Sequence, residues 1–137
     1  MQGRYLRNLS WLAGLFDGEG SIGVYKRNWD RTKTTQYYTM TVCLAQSGSW
    51  GKALVESLQT TYGGHIRYAP GKSKKDMYHW QLDANKAALF LTEIKEYLWY
   101  KQPQAILALK FQKLPSKRVN NVEATNIHNK LKELKQL

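Results

Sequence analysis

The chain has 137 residues, of which 42% are hydrophobic and 23% are charged. This length suits one domain, and the composition favours a packed core over general disorder. No apolar run approaches the roughly 20 residues that span a bilayer, and the first ten residues lack a secretory hydrophobic region. The one cysteine, Cys43, excludes an intrachain disulfide and a cysteine-cluster metal site. We therefore expect an intracellular protein, in a reducing cytosol or organelle interior, without a membrane partner.

The charge balance is strongly positive. Twenty-one Lys and Arg residues face ten Asp and Glu residues, which gives a formal net charge of +11. Basic residues occur throughout the chain, so a basic tail does not explain the excess. Such an excess repels itself and indicates a polyanionic partner. Nucleic acid is favoured over a merely soluble basic protein and over a membrane surface, because no segment has the pattern of a basic amphipathic helix with an aromatic face.

Apolar spacing predicts alternating helices and strands, and glycine and proline residues mark their ends. Gly18 and Gly20 are expected to end the first helix, and Gly63 with Gly64 the second. Pro103 fits the first turn of a later helix. The predicted elements are a helix over 6–17, strands over 21–29 and 37–46, a helix over 49–62, strands over 65–69 and 76–82, and helices over 85–98, 103–113 and 122–137.

Four strands joined as two hairpins predict one mostly antiparallel sheet with helices on one face, which is an α+β domain. The other face would stay open to solvent, and its residues are polar, aromatic and basic. This chemistry suits the reading of base edges in a major groove, where a β-ribbon fits. The alternative is an ordinary solvated sheet face. The predicted open face contains Tyr25, Arg27, Trp29, Tyr37, Thr39, Thr41, Arg67, His79 and Gln81.

The expected contacts with nucleic acid differ in kind. Arg67 has the geometry to pair bidentately with guanine. His79 and Gln81 would read bases, although a register slip of one residue would turn both inward. His65 and His128 have no partner pattern for zinc and receive no role. Lysines of the loop before the fourth strand would contact phosphates, which adds affinity without sequence information; they are Lys72, Lys74 and Lys75.

Small and acidic residues distinguish the end of the first helix. Ala13 and Gly14 would let two helix backbones approach closely. Asp17 and Glu19 are expected just past the helix C-terminus, where the helix dipole disfavours a carboxylate. Two acids kept there suggest a need for negative charge, such as oxygen ligands for a divalent cation. The alternative is a turn with two exposed acids between glycines.

Residues 12–20 read LAGLFDGEG, which resembles the LAGLIDADG motif of homing endonucleases at six of nine positions. Gln46, at the end of the second predicted strand, and the segment KQPQA at 101–105 are also similar to that family. The resemblance covers roughly residues 6–116. It implies the αββαββα fold, with a saddle-like antiparallel sheet, helices on one face and further C-terminal helices. Residues 1–137 would form a single domain, with 117–137 as a helical extension that caps the sheet edge or contacts phosphates.

Only one such motif is present, and one carboxylate is a poor Mg²⁺ site by itself. Two subunits related by a twofold axis would bring the two Glu19 side chains together. The single-motif members of the family are homodimers, and an isologous dimer implies a pseudo-palindromic double-stranded DNA target. The resemblance places the dimer interface on the motif helix, at Leu12, Ala13, Gly14, Phe16 and Asp17.

The resemblance implies a Mg²⁺-dependent DNA endonuclease that makes double-strand breaks for intron or intein homing. Glu19 and the Gly18 carbonyl would bind the metal, and Mn²⁺ or Ca²⁺ would occupy the same site in vitro. Gln46 would orient water. Lys101 would stabilise the charge that develops on the phosphate.

The sequence after Gln46 differs from that of some relatives, which have an Arg a few residues after the matching Gln. Trp50 occupies that position here, and Lys52, in the next turn, is one residue that could substitute for the Arg.

Two other functions stay open, an RNA maturase that aids intron splicing and a DNA-binding regulator without catalysis. A regulator needs no acid at Glu19, because a carboxylate beside phosphates weakens binding unless a metal neutralises it. The family occurs in organelles (chloroplast or mitochondrion), bacteria and phages.

Overall fold

A computed structural model describes residues 8–28, 36–71 and 75–135. None of the helices in these ranges combines the length and the apolar character needed to cross a membrane. The order helix–strand–strand–helix–strand–strand–helix, followed by further helices, confirms the predicted α+β class. The elements are α1 (Leu9–Glu19), β1 (Gly20–Asn28), β2 (Gln36–Ser47), α2 (Gly48–Tyr62), β3 (His65–Ala69), β4 (Met77–Asp83), α3 (Ala84–Ile94), a 3-10 turn (Lys95–Tyr97), α4 (Gln102–Gln112) and α5 (Val122–Lys135).

The four strands form one antiparallel sheet in the order β1-β2-β4-β3. Tyr25 lies opposite Thr39, and Arg67 lies opposite His79. The same pairing continues through the sheet, so odd-numbered residues of all four strands lie on one face and even-numbered residues on the other. The register slip that would have turned His79 inward is absent.

The even-numbered face packs against the helices and forms the core. Phe90 of α3 makes edge-to-face contacts with Phe16 of α1 and Trp80 of β4, with ring centroids 5.4 and 5.2 Å apart. All three side chains are fully buried. Burying each large side chain contributes about 1.5–3 kcal/mol, so this cluster fixes α1 and α3 on the sheet.

Helix α1 does not end at Gly18 as predicted. It continues to Glu19, and Gly20 caps it by donating its N–H to the Phe16 carbonyl. A Cβ on Gly20 would lie 2.3 Å from the Phe16 ring, so only glycine fits this cap. Asp17 and Glu19 therefore lie in the last helical turn, not beyond it.

The other element bounds differ from the predictions by a few residues at most. The third helix stops at Ile94, and a 3-10 turn takes the place of its expected last turn. Gly63 ends α2 with a φ of 81°, and Pro103 lies in the first turn of α4, as predicted. Ser47 occupies the N-cap position of α2 without a side-chain capping bond.

Helix α5 covers the outer edge of the sheet. The ring of His128 donates from Nδ1 to the Val24 carbonyl of β1 at 2.5 Å and stacks on Tyr38 with centroids 4.8 Å apart. The Tyr38 hydroxyl also hydrogen-bonds the Thr125 hydroxyl at 2.9 Å. Since β1 is an edge strand with unpaired carbonyls, α5 caps it, which was one of the two expected roles.

Candidate active site and nucleic-acid interface

Lys101 and Asp17 join the end of α1 to the start of α4. The Lys101 ammonium donates to the Asp17 main-chain carbonyl at 2.5 Å. The Lys101 N–H donates to Asp17 Oδ1 at 2.8 Å, and the Trp99 N–H donates to Asp17 Oδ2 at 2.7 Å. The Asp17 carboxylate is thus held within its own chain, and its place in a dimer interface stays a prediction.

Lys101 is held in a desolvated position close to two acids. Lys101 is only 9% exposed. Burial lowers the pKa of Lys101 below the ordinary lysine value, while the negative charges of Asp17 and Glu19 oppose that shift. A partly dehydrated ammonium interacts more strongly with an incoming phosphate than a fully solvated one does.

Glu19 provides an uncommitted carboxylate next to this lysine. Its side chain is exposed, and no residue in the described ranges hydrogen-bonds or ion-pairs with it. The last carbonyls of a helix lack intrahelical partners, so the Gly18 carbonyl offers a second hard oxygen ligand. No group of three or more His, Cys, Asp or Glu residues within these ranges could hold a metal. The donor set fits a divalent cation only if ligands from outside the chain complete it.

Gln46 lies at the same end of the strands as Glu19. Gly20, the first residue of β1, is opposite Leu44. Gln46 is two residues further along β2, about 7 Å beyond that level, where α1 ends. It is half-buried on the even-numbered face. Since Lys101 is bonded to Asp17 at the end of α1, Glu19, Gln46 and Lys101 come from three segments to one end of the sheet.

Trp50 and Lys52 occupy different surroundings from Lys101. Trp50 is 85% exposed and lines a cavity of about 230 Å³ with Trp11 and Leu54. Lys52 lines an open groove with Trp50 and Lys75. Neither residue lines the cavity that contains Lys101.

The open face of the sheet carries the predicted nucleic-acid contacts. The predicted strand residues within the described ranges are odd-numbered, so they lie on one face as predicted. Trp29, Lys72 and Lys74 lie outside the described residues. The exposed members are Tyr25, Arg27 and Arg67, with Lys75 exposed in the loop before β4, and the half-buried members are Tyr37, Thr39, His79 and Gln81.

Thr41 is the least exposed of the predicted contact residues on this face, and its contact with DNA stays a prediction. It is only 5% exposed, and its hydroxyl donates to Asp83 Oδ1 at 2.7 Å. Gln81 Nε2 donates to the same oxygen at 3.1 Å. Asp83 thus covers Thr41 and orients Gln81, and it places an acid on a face expected to hold few. Asp83 alternates with His79 and Gln81 in β4, and this pattern could have predicted that Asp83 lies on the open face.

The surroundings of His79 disfavour protonation of its imidazole. Burial and, secondarily, the positive charge of Arg67 lower the pKa of His79 below its ordinary value. A neutral imidazole offers one donor and one acceptor, which suits hydrogen bonding to base edges.

Three further residues extend the open face and were missed in the sequence. His65 is exposed opposite Gln81, and its alternation with Arg67 was a usable signal. Lys135 of α5 donates to the Tyr25 hydroxyl at 3.0 Å. Arg118 lies opposite Tyr37 in a short antiparallel bridge, so it shares the odd-numbered face. That bridge involves too few loop residues to produce a periodic signal.

The predicted dimer contacts at Leu12, Ala13 and Phe16 are wrong, because all three side chains are fully buried in their own subunit. The 3.6-residue period directs them to the core and turns the opposite side of α1 outward. A Cβ placed on Gly14 or on Gly18 would meet no atom within 4 Å. With these glycines, the outward side of α1 consists of Trp11, Gly14, Leu15 and Gly18, which we call the outer face of α1.

Neither a protein-family model nor a curated protein matches the chain, whereas solved structures do. The homing endonuclease I-CvuI, in complex with its target and Ca, matches over 93% of this chain and 82% of its own, with a TM-score of 0.74 and 22% identity. The archaeal intron-encoded homing endonuclease I-Vdi141I, complexed with DNA, matches over 96% and 86%, with a TM-score of 0.68 and 15% identity. The LAGLIDADG homing endonuclease I-SmaMI, bound to cleaved DNA, matches over 91% of this chain but 42% of its own, with a TM-score of 0.65 and 19% identity. The chain therefore has the fold of the LAGLIDADG homing endonucleases.

Proposed function

We propose that this chain is a homodimeric LAGLIDADG homing endonuclease that cuts both strands of a long, pseudo-palindromic DNA site. The observation that carries this proposal is the position of Lys101, desolvated and hydrogen-bonded to Asp17, beside the exposed carboxylate of Glu19. A cation and an uncommitted acid placed together at one end of a basic sheet suit the hydrolysis of a phosphodiester. The motif at 12–20 and the DNA complexes of the structural neighbours support the same reading.

The duplex would lie along the open face of the sheet. Exposed Arg67 and half-buried Gln81 would reach base edges in the major groove. Lys75 and Arg118, at the periphery, would contact phosphates and position the duplex without reading sequence. The net charge of +11 favours this association at low salt.

Each residue of the site would have a distinct task. A divalent cation, held by the Glu19 carboxylate and the Gly18 carbonyl and completed by phosphate oxygens, would polarise the phosphate and acidify water; we infer Mg²⁺. Lys101 would stabilise the negative charge that develops on the phosphate oxygens. Gln46 would orient the attacking water through its amide. Asp17 would hold Lys101 in place.

A second copy would complete the site. The outer face of α1 leaves Gly14 and Gly18 open, which would let two α1 backbones approach closely. Trp11 and Trp50, 45% and 85% exposed, would be covered by the same contact. This arrangement would bring the two Glu19 side chains together. The match to less than half of I-SmaMI is consistent with one copy of this chain supplying half of a complete enzyme.

The decisive experiment is cleavage of a randomised library of DNA duplexes by the purified protein, with Mg²⁺ or with EDTA. We expect discrete double-strand cuts that require the metal. Glu19→Gln should abolish cutting and retain binding. The matched control is Glu123→Gln, since Glu123 is exposed on α5 and makes only a 3.6 Å surface ion pair with Lys110.

The outcomes separate the alternatives. Cutting that persists in Glu19→Gln contradicts the metal assignment. Specific binding without cutting in Mg²⁺ would indicate a DNA-binding regulator. Stimulation of intron splicing, measured with RNA, would indicate a maturase.

A further inference from the structure

Asp83 lies at the junction of β4 and α3, and its carboxylate does not cap the helix that follows. The residue occupies the N-cap position of α3, where an aspartate ordinarily accepts an N–H from the first helical turn. No such side-chain bond is present. Ala84, the next residue, has a φ of 52°, a left-handed conformation that alanine rarely adopts. The carboxylate instead serves the open face of the sheet.

The hydrogen bonds of this carboxylate fix the amide of Gln81. Thr41 Oγ1 donates to Asp83 Oδ1 at 2.7 Å, which anchors the carboxylate to β2. Gln81 Nε2 donates to the same oxygen at 3.1 Å. An ionised carboxylate only accepts hydrogen bonds, so Gln81 turns its nitrogen toward Asp83 and its oxygen away. The two orientations of the Gln81 amide are therefore not equivalent.

The groups that Gln81 keeps available match one base. Its amide has two N–H donors and one oxygen, and Asp83 takes one of the donors. Gln104 Oε1 and Gln112 Oε1 are the buried side-chain atoms without a partner in the described ranges, so the unpaired Gln81 Oε1 is open to solvent. One donor and one acceptor remain, as adenine requires with its N6 amino group and its N7. Guanine presents two acceptors and would need both N–H groups.

The charge of Asp83 also suits a role in specificity. Asp83 belongs to neither ion pair found among the described residues, which join Lys110 to Glu123 and Lys130 to Glu133. A carboxylate on a DNA-binding face repels phosphates and so lowers the affinity for every sequence. Such a residue is useful there when it improves the discrimination between sequences.

We propose that Asp83 is a positioning residue that fixes the Gln81 amide, so that Gln81 reads adenine at one position in each half of the DNA site. The inference rests on the proposed function, in which the duplex lies along the open face. It assigns to Asp83 no contact with DNA or metal. Its effect therefore appears in the base preference at the position that Gln81 reads.

The test measures base preference by binding to randomised duplexes in Ca²⁺. Gln81→Ala first identifies the position that Gln81 reads, because the preference there is lost. At that position we expect the wild type to prefer adenine over guanine by about 5- to 150-fold, the range for one bidentate contact. Asp83→Ala should lose most of this preference, while its affinity for unrelated duplexes rises.

A matched control separates the hydrogen bond from the charge. Asp83→Asn removes the same charge and keeps an oxygen that accepts from Thr41 and Gln81. We expect it to raise the affinity for unrelated duplexes as Asp83→Ala does, and to retain most of the adenine preference. In a Gln81→Ala background, Asp83→Ala should cause no further loss of preference at this position, because Asp83 acts through Gln81.

The outcomes are distinct. Guanine at the position identified by Gln81→Ala would overturn the inference even if Asp83→Ala does not fold. An adenine preference that survives in Asp83→Ala would overturn it too, and so would an equal loss in Asp83→Asn. A wild-type chain that selects no sequence would refute the proposed function instead. A crystal structure of the unliganded protein would then still test the inference, which requires Gln81 Nε2 within about 2.7–3.2 Å of Asp83 Oδ1.

Discussion

The Lys101 ammonium lies 2.5 Å from the Asp17 main-chain carbonyl, and the Lys101 N–H lies 2.8 Å from the Asp17 carboxylate. Lys101 donates both bonds, and they join residues 84 positions apart in the chain. They fix the last turn of α1, which carries Glu19, against the first turn of α4. The relative position of the proposed metal ligand and the proposed phosphate-binding lysine therefore depends on Asp17.

Asp17→Asn should destabilise the fold. The carboxylate accepts from the backbone N–H groups of Trp99 and Lys101, and an amide would direct its own donor at one of them. We expect the free energy of unfolding to fall by about 1–3 kcal/mol, measured by urea denaturation. Glu19→Gln, two residues away and exposed, is the control and should change stability little. Equal stability of the two variants would contradict the role given to Asp17.

Gly14→Ala should separate subunit folding from dimerisation. Alanine stabilises a helix interior by up to about 1 kcal/mol relative to glycine, and the new Cβ meets nothing within its own subunit. The same Cβ would hold two α1 helices apart. We expect equal or higher subunit stability and weaker association, measured by sedimentation at several concentrations. Asn129→Ala, exposed on α5, should leave association unchanged. A wild-type chain that remains monomeric at all concentrations would refute the proposed dimer.

His79→Gln should weaken the acid dependence of stability. Since the folded state lowers the pKa of His79, the unfolded chain takes up a proton at a higher pH than the folded chain does. The contribution of His79 to the free energy of unfolding is therefore present above its unfolded pKa of about 6.5 and is lost as the pH falls through the folded-state value. The free energy of unfolding, measured by urea denaturation between about pH 7.5 and 5.5, should depend less steeply on pH in the variant than in the wild type. Identical slopes in that window would contradict the assignment, and identical slopes above about pH 7.5 are the internal control.

Arg118→Ala should weaken DNA binding without changing sequence preference. Arg118 is exposed opposite Tyr37 at the end of the open face, where a phosphate contact is expected. Loss of one phosphate contact lowers the steepness of the dependence of log K on log salt by about one. Fluorescence anisotropy between about 50 and 200 mM salt measures this slope. Lys113→Ala, at the end of α4, removes the same charge elsewhere and should leave the slope unaltered.

The open face of the sheet shows how far local pattern extends. Alternation in 37–46 and 76–82 predicted the correct face for Tyr37, Thr39, His79 and Gln81, since a strand has a period of two whatever it pairs with. The same pattern did not reveal that Asp83 covers Thr41. That contact joins β2 to β4, so it depends on the register between strands distant in sequence.

In helix α1, too, the sequence predicted some features and tertiary packing decided others. Its small and acidic residues identified a candidate metal site at Glu19 from the sequence alone. Gly14 lies on its outward side, whereas Leu12, Ala13 and Phe16 do not, because a resemblance names positions in a motif and does not say which of them the sheet covers. Burial of Leu12, Ala13 and Phe16 follows from packing against α3 and the sheet.

The amino-acid sequence by itself determined the types of the elements, the faces of the strands and the expected charge of the partner, since these follow from side-chain spacing and net charge. Tertiary structure decided which groups meet: Asp17 with Lys101, His128 with the edge of β1, and Arg118 with Tyr37. Each of these contacts joins segments about 80 or more residues apart. Such contacts leave no periodic trace in sequence, because they form only when the collapse of the core brings the segments together.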